Sequence, residues 1–340
     1  MPSILVVIGS ERVQGQVAQP PSSPSGKDGS VSDIRVGILT VETLDEQARD
    51  RVAIAAAAGL DFVGSTDHVC FQGGQGVDGL TTVATYAGLH PTIGLYVGVY
   101  QLPLRHPVAV ARQVSTLAHF APGRLAFGVG IAGEDPREVE SCGVDMRTRG
   151  RRATESLYVL RRLLAGESVT LDGDFFRLQD VQVLPAPDPW VPLIVGGKSD
   201  AALRRAATLG DGWTAVFTSP RRCADSIARI AEHAESAGRQ DVAWRHSVEL
   251  WCGFGPTVEA GRARLAPAME RFYGLPFDAL DRYSPAGTPE DIAAALEPYV
   301  EAGVRTFHLQ PVADSSEEAA YGVAQVKQCL ARAVPVSVRT

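Results

Sequence analysis

From Ile34 onward the chain alternates short apolar segments with segments of helical periodicity, eight times over. Strand candidates lie at 34–39, 60–64, 93–100, 124–129, 193–195, 212–217, within 242–254 and at 304–309. Helical patterns fill the gaps at 44–58, 81–87, 108–119, 149–164, 199–208 and 221–237, from 258, up to about 303, and at 316–333. Strands separated by helices run parallel, because each crossover returns the chain in the same direction. Eight such units predict an α/β fold, a closed (β/α)8 barrel of the TIM type, as one domain over residues 34–340. Two segments fall outside the alternation. Residues 169–184 alternate around Asp172-Gly173, which predicts an inserted β-hairpin. Residues 9–33, rich in Gly, Ser, Pro and Gln, bury too little apolar surface to order themselves, and residues 1–33 together are expected to be a disordered leader.

The charge and the cysteines narrow the function. A net charge of −7 gives no broad basic face, so neither nucleic acid nor an anionic membrane is an expected partner. No apolar run reaches the ~18 residues of a membrane span. The cysteines are odd in number and none sit at metal-ligand spacing, so free thiols, no metal site and a reducing cytoplasm are expected. No Gly-x-Ser-x-Gly, His-Glu-x-x-His or Walker loop is present, which removes support for hydrolase and kinase readings.

A barrel of this kind carries its chemistry at the carboxyl ends of its strands. The second strand candidate ends in Thr66-Asp67-His68. A carboxylate beside a histidine can fix its tautomer and suit it to proton transfer near neutral pH; the same pair also suits a capped strand end. The third ends in Gly98-Val99-Tyr100, and the fourth runs into Gly128-Val129-Gly130-Ile131-Ala132-Gly133-Glu134. That glycine spacing matches a dinucleotide fingerprint in letter only: two acids, Glu134 and Asp135, follow where a pyrophosphate needs positive potential. The glycines instead let a ring system approach the backbone, with Glu134 as a second acid on that face. The fifth strand leads into Gly196-Gly197-Lys198-Ser199 before a helix, either a phosphate cradle or a tight turn. The glycine-rich stretch 70–79 is a candidate loop over the mouth, and Cys70 lies near enough to His68 in sequence to touch the chemistry. Arg147 to Arg152 reads as a solvated basic face, Arg105-His106-Pro107 as a loop entering a helix, and Trp213 as core or rim.

Together these segments resemble the bacterial luciferase-like superfamily. The resemblance rests on Pro103-Leu104-Arg105-His106-Pro107, Pro122-Gly123-Arg124 before Phe127-Gly128-Val129-Gly130, Pro192 to Gly197 running on to Gly210-Asp211-Gly212-Trp213, and Gly287-Thr288-Pro289-Glu290 before Ala302-Gly303-Val304. It extends from residue 34 to about 312. It implies either coenzyme F-420 with hydride transfer, favoured here, or FMN with oxygen chemistry. In the deazaflavin branch, the positions resembling Asp67-His68 and Glu134 lie near the reacting carbon, so His68 and Glu134 are the expected acid-base groups. The same branch implies a non-prolyl cis peptide at Gly98-Val99 backing the ring. It also implies cofactor contacts from Asp67, Gly98, Val99, Gly130, Gly196, Gly197, Lys198 and Ser199, with the phosphate at Gly196-Gly197. A small-molecule substrate and a homodimer are further expectations, and a non-catalytic cofactor-binding barrel is the alternative of another class.

Overall fold

A computed structural model describes residues 5–8, 11–14, 34–41 and 44–333. Eight strands form the barrel: β1 (Arg35–Thr40), β2 (Phe62–Ser65), β3 (Gly94–Gln101), β4 (Leu125–Gly130), β5 (Leu193–Gly196), β6 (Gly212–Val216), β7 (Ser247–Phe254) and β8 (Thr306–Val312). Every neighbouring pair is parallel, in the order β6-β5-β4-β3-β2-β1-β8-β7, and a further β6–β7 pairing closes the ring. All eight expected strands are therefore present, and closure makes this a barrel rather than an open doubly wound sheet.

Parallel strands covered on both sides need apolar or satisfied residues on both faces. β7 meets that demand along its whole length, with all eight residues buried. The larger core lies outside the barrel, where residues such as Val36, Val63, Leu95 and Phe127 pack under the helices. Inside the barrel a smaller cluster of Leu39, Phe62, Tyr96 and Ile194 fills the lower half. A third cluster, Trp251, Leu265, Met269 and Phe277, lies at the end of β7 and beneath the helix Val258–Tyr273. Phe217, Phe272 and Tyr273 pack against it and roof the mouth.

Several helices begin where side chains satisfy their first N–H groups. Asp78 accepts from Thr81, Ser199 from Ala202, and Thr288 with Asp291 forms the full capping box ahead of Pro289. Asp211 ties the β5–β6 seam: it accepts from Trp190 Nε1 at 2.8 Å, the Leu193 N–H at 3.0 Å and Arg161 at 2.9 Å. The insert is a two-stranded antiparallel hairpin, Val169–Asp172 with Arg177–Val181. Buried Glu155 holds its tip by accepting the N–H groups of Asp174, Phe175 and Phe176.

Two expectations change. Within the expected leader, Leu5–Ile8 pairs antiparallel with Glu11–Gln14, segments that hold the β-branched Val6, Val7, Ile8 and Val13; the rest of residues 1–33 lies outside the described residues. The basic run at 147–152 is not simply a solvated face. Arg149 binds the Ala132 and Met146 carbonyls, and Arg152 donates to the Pro103 carbonyl at 2.9 Å, so both brace loops at the barrel mouth.

Candidate active site

His68 follows β2 at the barrel mouth, and its neighbours define its chemistry. Its Nδ1 lies 3.2 Å from Glu138 Oε2. Gln101, the last residue of β3, places its amide nitrogen 2.8 Å from the same Nδ1, 3.0 Å from Glu138 Oε2 and 2.8 Å from the Asp67 carbonyl. That amide has two protons and two unambiguous acceptors, the Asp67 carbonyl and the Glu138 carboxylate. The proton on the His68–Glu138 line therefore belongs to His68, with Nδ1 donating. Burial works to raise the Glu138 carboxyl, but bonds from His68, Gln101 and the Val69 N–H outweigh it and hold the carboxyl down to about 2. Glu138 is thus an anion that fixes the tautomer and leaves Nε2 without a protein partner among the described residues. Phe71 packs on the imidazole with ring centroids 4.3 Å apart, and Phe272 meets its edge at 6.2 Å.

The acid that orients His68 is therefore not its sequence neighbour. Asp67 is fully occupied by other work: it accepts from Gly79 N at 3.0 Å and Gln101 N at 2.9 Å, and it binds Arg105 through both oxygens at 2.6 and 2.9 Å. It is buried and locks the turn after β2 to the end of β3, so the expected cofactor contact through its side chain has no free oxygen to make it. Arg105, read as a plain loop residue, is the cation of that hub.

Glu138 sits in a six-residue helix, Pro136–Ser141, capped by Asp135, which accepts from the Arg137 N–H. Asp135 also accepts from Gln72 N, and Gln72 donates its amide to the Tyr273 carbonyl at 2.6 Å. The glycine-rich stretch 70–79 is thereby tied both to the segment after β4 and to the helix that roofs the mouth.

The side-chain-poor wall lies one strand further on. The Gly98–Val99 peptide bond is cis, and the β3–β4 register shifts between Val97 and Tyr100. A Cβ on Gly130 would come within 2.6 Å of Val99 Cγ2, and one on Gly196 within 3.3 Å of Val99 Cγ1. Gly98, Val99, Gly130 and Gly196 therefore form one contiguous surface. Gly197 takes a φ of +125°, open to glycine and strained for other residues, and Trp213 donates its indole N–H to the Gly197 carbonyl at 2.7 Å. The N–H groups of Gly197, Lys198 and Ser199 have no protein acceptor among the described residues, and the helix Asp200–Leu209 begins directly after them. Lys198 Nζ donates to the Phe217 carbonyl at 2.9 Å and feels the charge of Arg222. Free N–H groups at a helix start beside a cation fit an anionic phosphate, and the bare wall fits the face of a flat ring.

Glu134 is exposed on the segment after β4 and makes no hydrogen bond with His68. Its charge is felt by Lys198, Glu249 and Tyr273, which places it at the mouth near these three groups. Glu249 itself escapes a reading based on strand ends. It lies inside the barrel on β7, where it accepts from Tyr96 Oη at 3.0 Å and lies 3.3 Å from Thr214 Oγ1; Tyr96 in turn stacks on His308 with centroids 3.7 Å apart. Burial, reinforced by Glu134 and only partly opposed by Tyr96 and Thr214, pushes its carboxyl up to about 7. A Cβ on Gly98 would lie 3.1 Å from Glu249 Oε1, so this acid sits directly beneath the cis peptide. The sequence signal for it is a lone acid amid apolar residues, Val248-Glu249-Leu250.

The structure thus brings His68, Gly98, Val99, Gly130 and Gly196 to Ser199 to one mouth, with Glu134 on its rim. Cys70 donates its N–H to Glu138, and all five thiols are free. Among the described residues no His, Cys, Asp and Glu cluster suits a metal, and no helix is long and apolar enough to cross a membrane.

Comparison with known proteins follows the same lines. An uncharacterised protein of Mycobacterium tuberculosis is 36% identical over 152 residues, 45% of this chain and 52% of its own length. An F-420-dependent glucose-6-phosphate dehydrogenase of Beutenbergia cavernae is 34% identical over 212 residues, 60% of this chain and 62% of its own. The chain thus spans about half to three-fifths of the length of these curated relatives. Among solved structures, an F-420-dependent secondary alcohol dehydrogenase in complex with an F-420–acetone adduct superposes with a TM-score of 0.77 at 20% identity, covering 88% of this chain and 99% of that one; at that identity the likeness concerns the fold. The luciferase-like monooxygenase model matches residues 30–285, and the chain belongs to that family.

Proposed function

We propose that the protein is an oxidoreductase that transfers a hydride between coenzyme F-420 and a small organic substrate, with His68 moving the proton. The observation that carries this reading is the imidazole itself: Nδ1 is held by an anionic, buried Glu138, so Nε2 is left to take or give a proton at the mouth. When bound, the deazaflavin supplies or accepts the hydride. Gly98, Val99, Gly130 and Gly196 would hold its ring, and Gly197 to Ser199 its phosphate. The chain's own contribution is to orient the imidazole, to exclude water with Phe71, Phe272 and Tyr273, and to hold the proton that a substrate oxygen gains or loses. Glu134, on the rim, is the second acid of this proposal. The relatives with F-420-dependent names support this choice of cofactor.

The aromatic roof favours a second reading. A flavin monooxygenase must shelter reduced flavin and oxygen from water, and the cluster around Trp251, Phe272 and Tyr273 offers such shelter. Titration of the purified chain with F-420 and with FMN, followed by absorbance, separates the two. Binding of F-420, with His68→Ala leaving affinity intact and lowering hydride-transfer turnover by about 10²- to 10⁴-fold, is the expected result. Binding of FMN alone, with oxygen consumption on reduction, overturns it.

A further inference from the structure

The glycine wall adjoins a polar floor inside the barrel. A Cβ on Gly98 would strike the Tyr96 ring and lie 3.1 Å from Glu249 Oε1. One on Gly128 would lie 2.8 Å from Tyr96 Oη, and one on Gly196 3.6 Å from Thr214 Cγ2. Glycine at these positions lets Tyr96, Thr214 and Glu249 lie directly against the wall.

Glu249 is only 5% exposed, and its two oxygens differ. Oε1 accepts from Tyr96 Oη at 3.0 Å and faces Thr214 Oγ1 at 3.3 Å. Oε2 has no protein partner among the described residues, yet it is the oxygen not sealed from open space. That space lies toward the mouth. The small cavity at the other end of the barrel is lined by Tyr96, Ser247 and His308 but not by Glu249, and the charge of Glu134 at the mouth reaches the acid.

With Oε1 taking the hydroxyl donors, the proton of the neutral acid belongs on Oε2, a donor with no acceptor in the protein. Water can meet it in the free chain; a ligand that displaces this water has to bring an acceptor of its own. Burial, reinforced by Glu134, pushes the carboxyl up to about 7, and an acid kept neutral in this way can donate at neutral pH. The titratable groups around it are Tyr96 from β3, His308 from β8, Tyr273 from the roofing helix and Glu134 after β4. Burial raises both tyrosines and lowers His308, so these three stay uncharged near neutral pH.

We propose that Glu249 contacts the bound ring, its Oε2–H donating to a carbonyl oxygen or an unprotonated nitrogen at the ring's edge. The pyrimidinedione edge shared by F-420 and FMN carries such acceptors. The identity of the ligand rests on the function proposed above; the donor on the floor does not.

Fluorescence titration of the full chain with F-420, at about pH 6 and about pH 8.5, tests it on the parent, Glu249→Gln and Glu249→Met. Glutamine keeps a carbonyl for Tyr96 and Thr214 and an N–H in place of the O–H at both pH values. The parent and Glu249→Gln should bind alike at about pH 6, and the parent about tenfold more weakly than Glu249→Gln at about pH 8.5. Glu249→Met, uncharged but without the donor, should bind about tenfold more weakly than the parent at about pH 6. The ratio of parent to Glu249→Gln cancels titrations elsewhere in the chain or in the ligand. A purely structural role would change stability and leave that ratio flat, so a flat ratio overturns the proposal even where Glu249→Met folds poorly. If F-420 binds with a flat ratio, the cofactor reading stands and the contact falls. If F-420 fails to bind while FMN gives the stated ratio, the contact stands and the F-420 reading falls. Failure of both rings to bind overturns both.

Discussion

Glu138 meets His68 from seventy positions away, and its charge state bears on both the proposed proton transfer and acid stability. Glu138→Gln removes the anion that holds Nδ1–H, so turnover should fall by about 10²-fold or more with cofactor affinity little changed, read by steady-state kinetics beside a binding titration. The folded carboxyl lies below its ordinary 4.5, at about 2. Its stabilising contribution is therefore complete above 4.5 and is lost as pH falls through 2. Acid unfolding of Glu138→Gln should lack that part of the transition. Glu249 has the opposite sign. Its carboxyl is raised from 4.5 to about 7, so the stability it permits is complete below 4.5 and is lost as pH rises through 7. Glu249→Gln should unfold like the parent near about pH 4 and be more stable by about 3 kcal/mol near about pH 9, as urea melts at the two pH values would show. Equal stability at both would mean that the barrel interior admits water to this acid.

At the scale of elements, the turn after β2 depends on one ion pair. Arg105→Ala leaves buried Asp67 without its cation, at a cost of about 3–5 kcal/mol. Denaturant melts should report that loss, and the stretch 70–79 should become the first site of proteolysis. This hub also shows where sequence reading stops. The eight strands and their helices were legible because each is long enough to show its period, and the hairpin because Asp172-Gly173 marks its turn. The helices Phe71–Gly74 and Pro136–Ser141 are too short for any period, yet the second carries the acid on His68. Asp135-Pro136 is a legible helix start, but nothing local says that Glu138 three residues on from Asp135 will meet a histidine from β2. Asp67 was conspicuous by adjacency, and adjacency misled: a strand end points successive side chains in opposite directions, so neighbours in sequence need not face the same space. The glycines after β3, β4 and β5 were legible because a backbone wall requires them.

Across the whole molecule the barrel is not sealed evenly. β7 and β8 pair over seven residues, whereas β5 with β6 and β6 with β7 pair over three each. Asp211 supplies the reinforcement at the short seam, gathering Trp190, Leu193 and Arg161, with Arg239 3.6 Å away. Asp211→Ala strands buried Arg161 and should destabilise the fold by about 3–5 kcal/mol, with amide exchange accelerating first at 193–196 and 212–216. An exchange pattern that instead rises evenly around the ring would assign Asp211 no special part in closure. The buttress of His68 lies wholly within residues 67–138, whereas β1, β7, β8 and the last helices build the opposite half of the mouth. Such a split makes the molecule modular for redesign: a mutant library confined to that opposite half, with Phe272 and Tyr273 kept because they meet His68 and Gln72, can explore new specificities while the proposed proton-handling half is inherited intact.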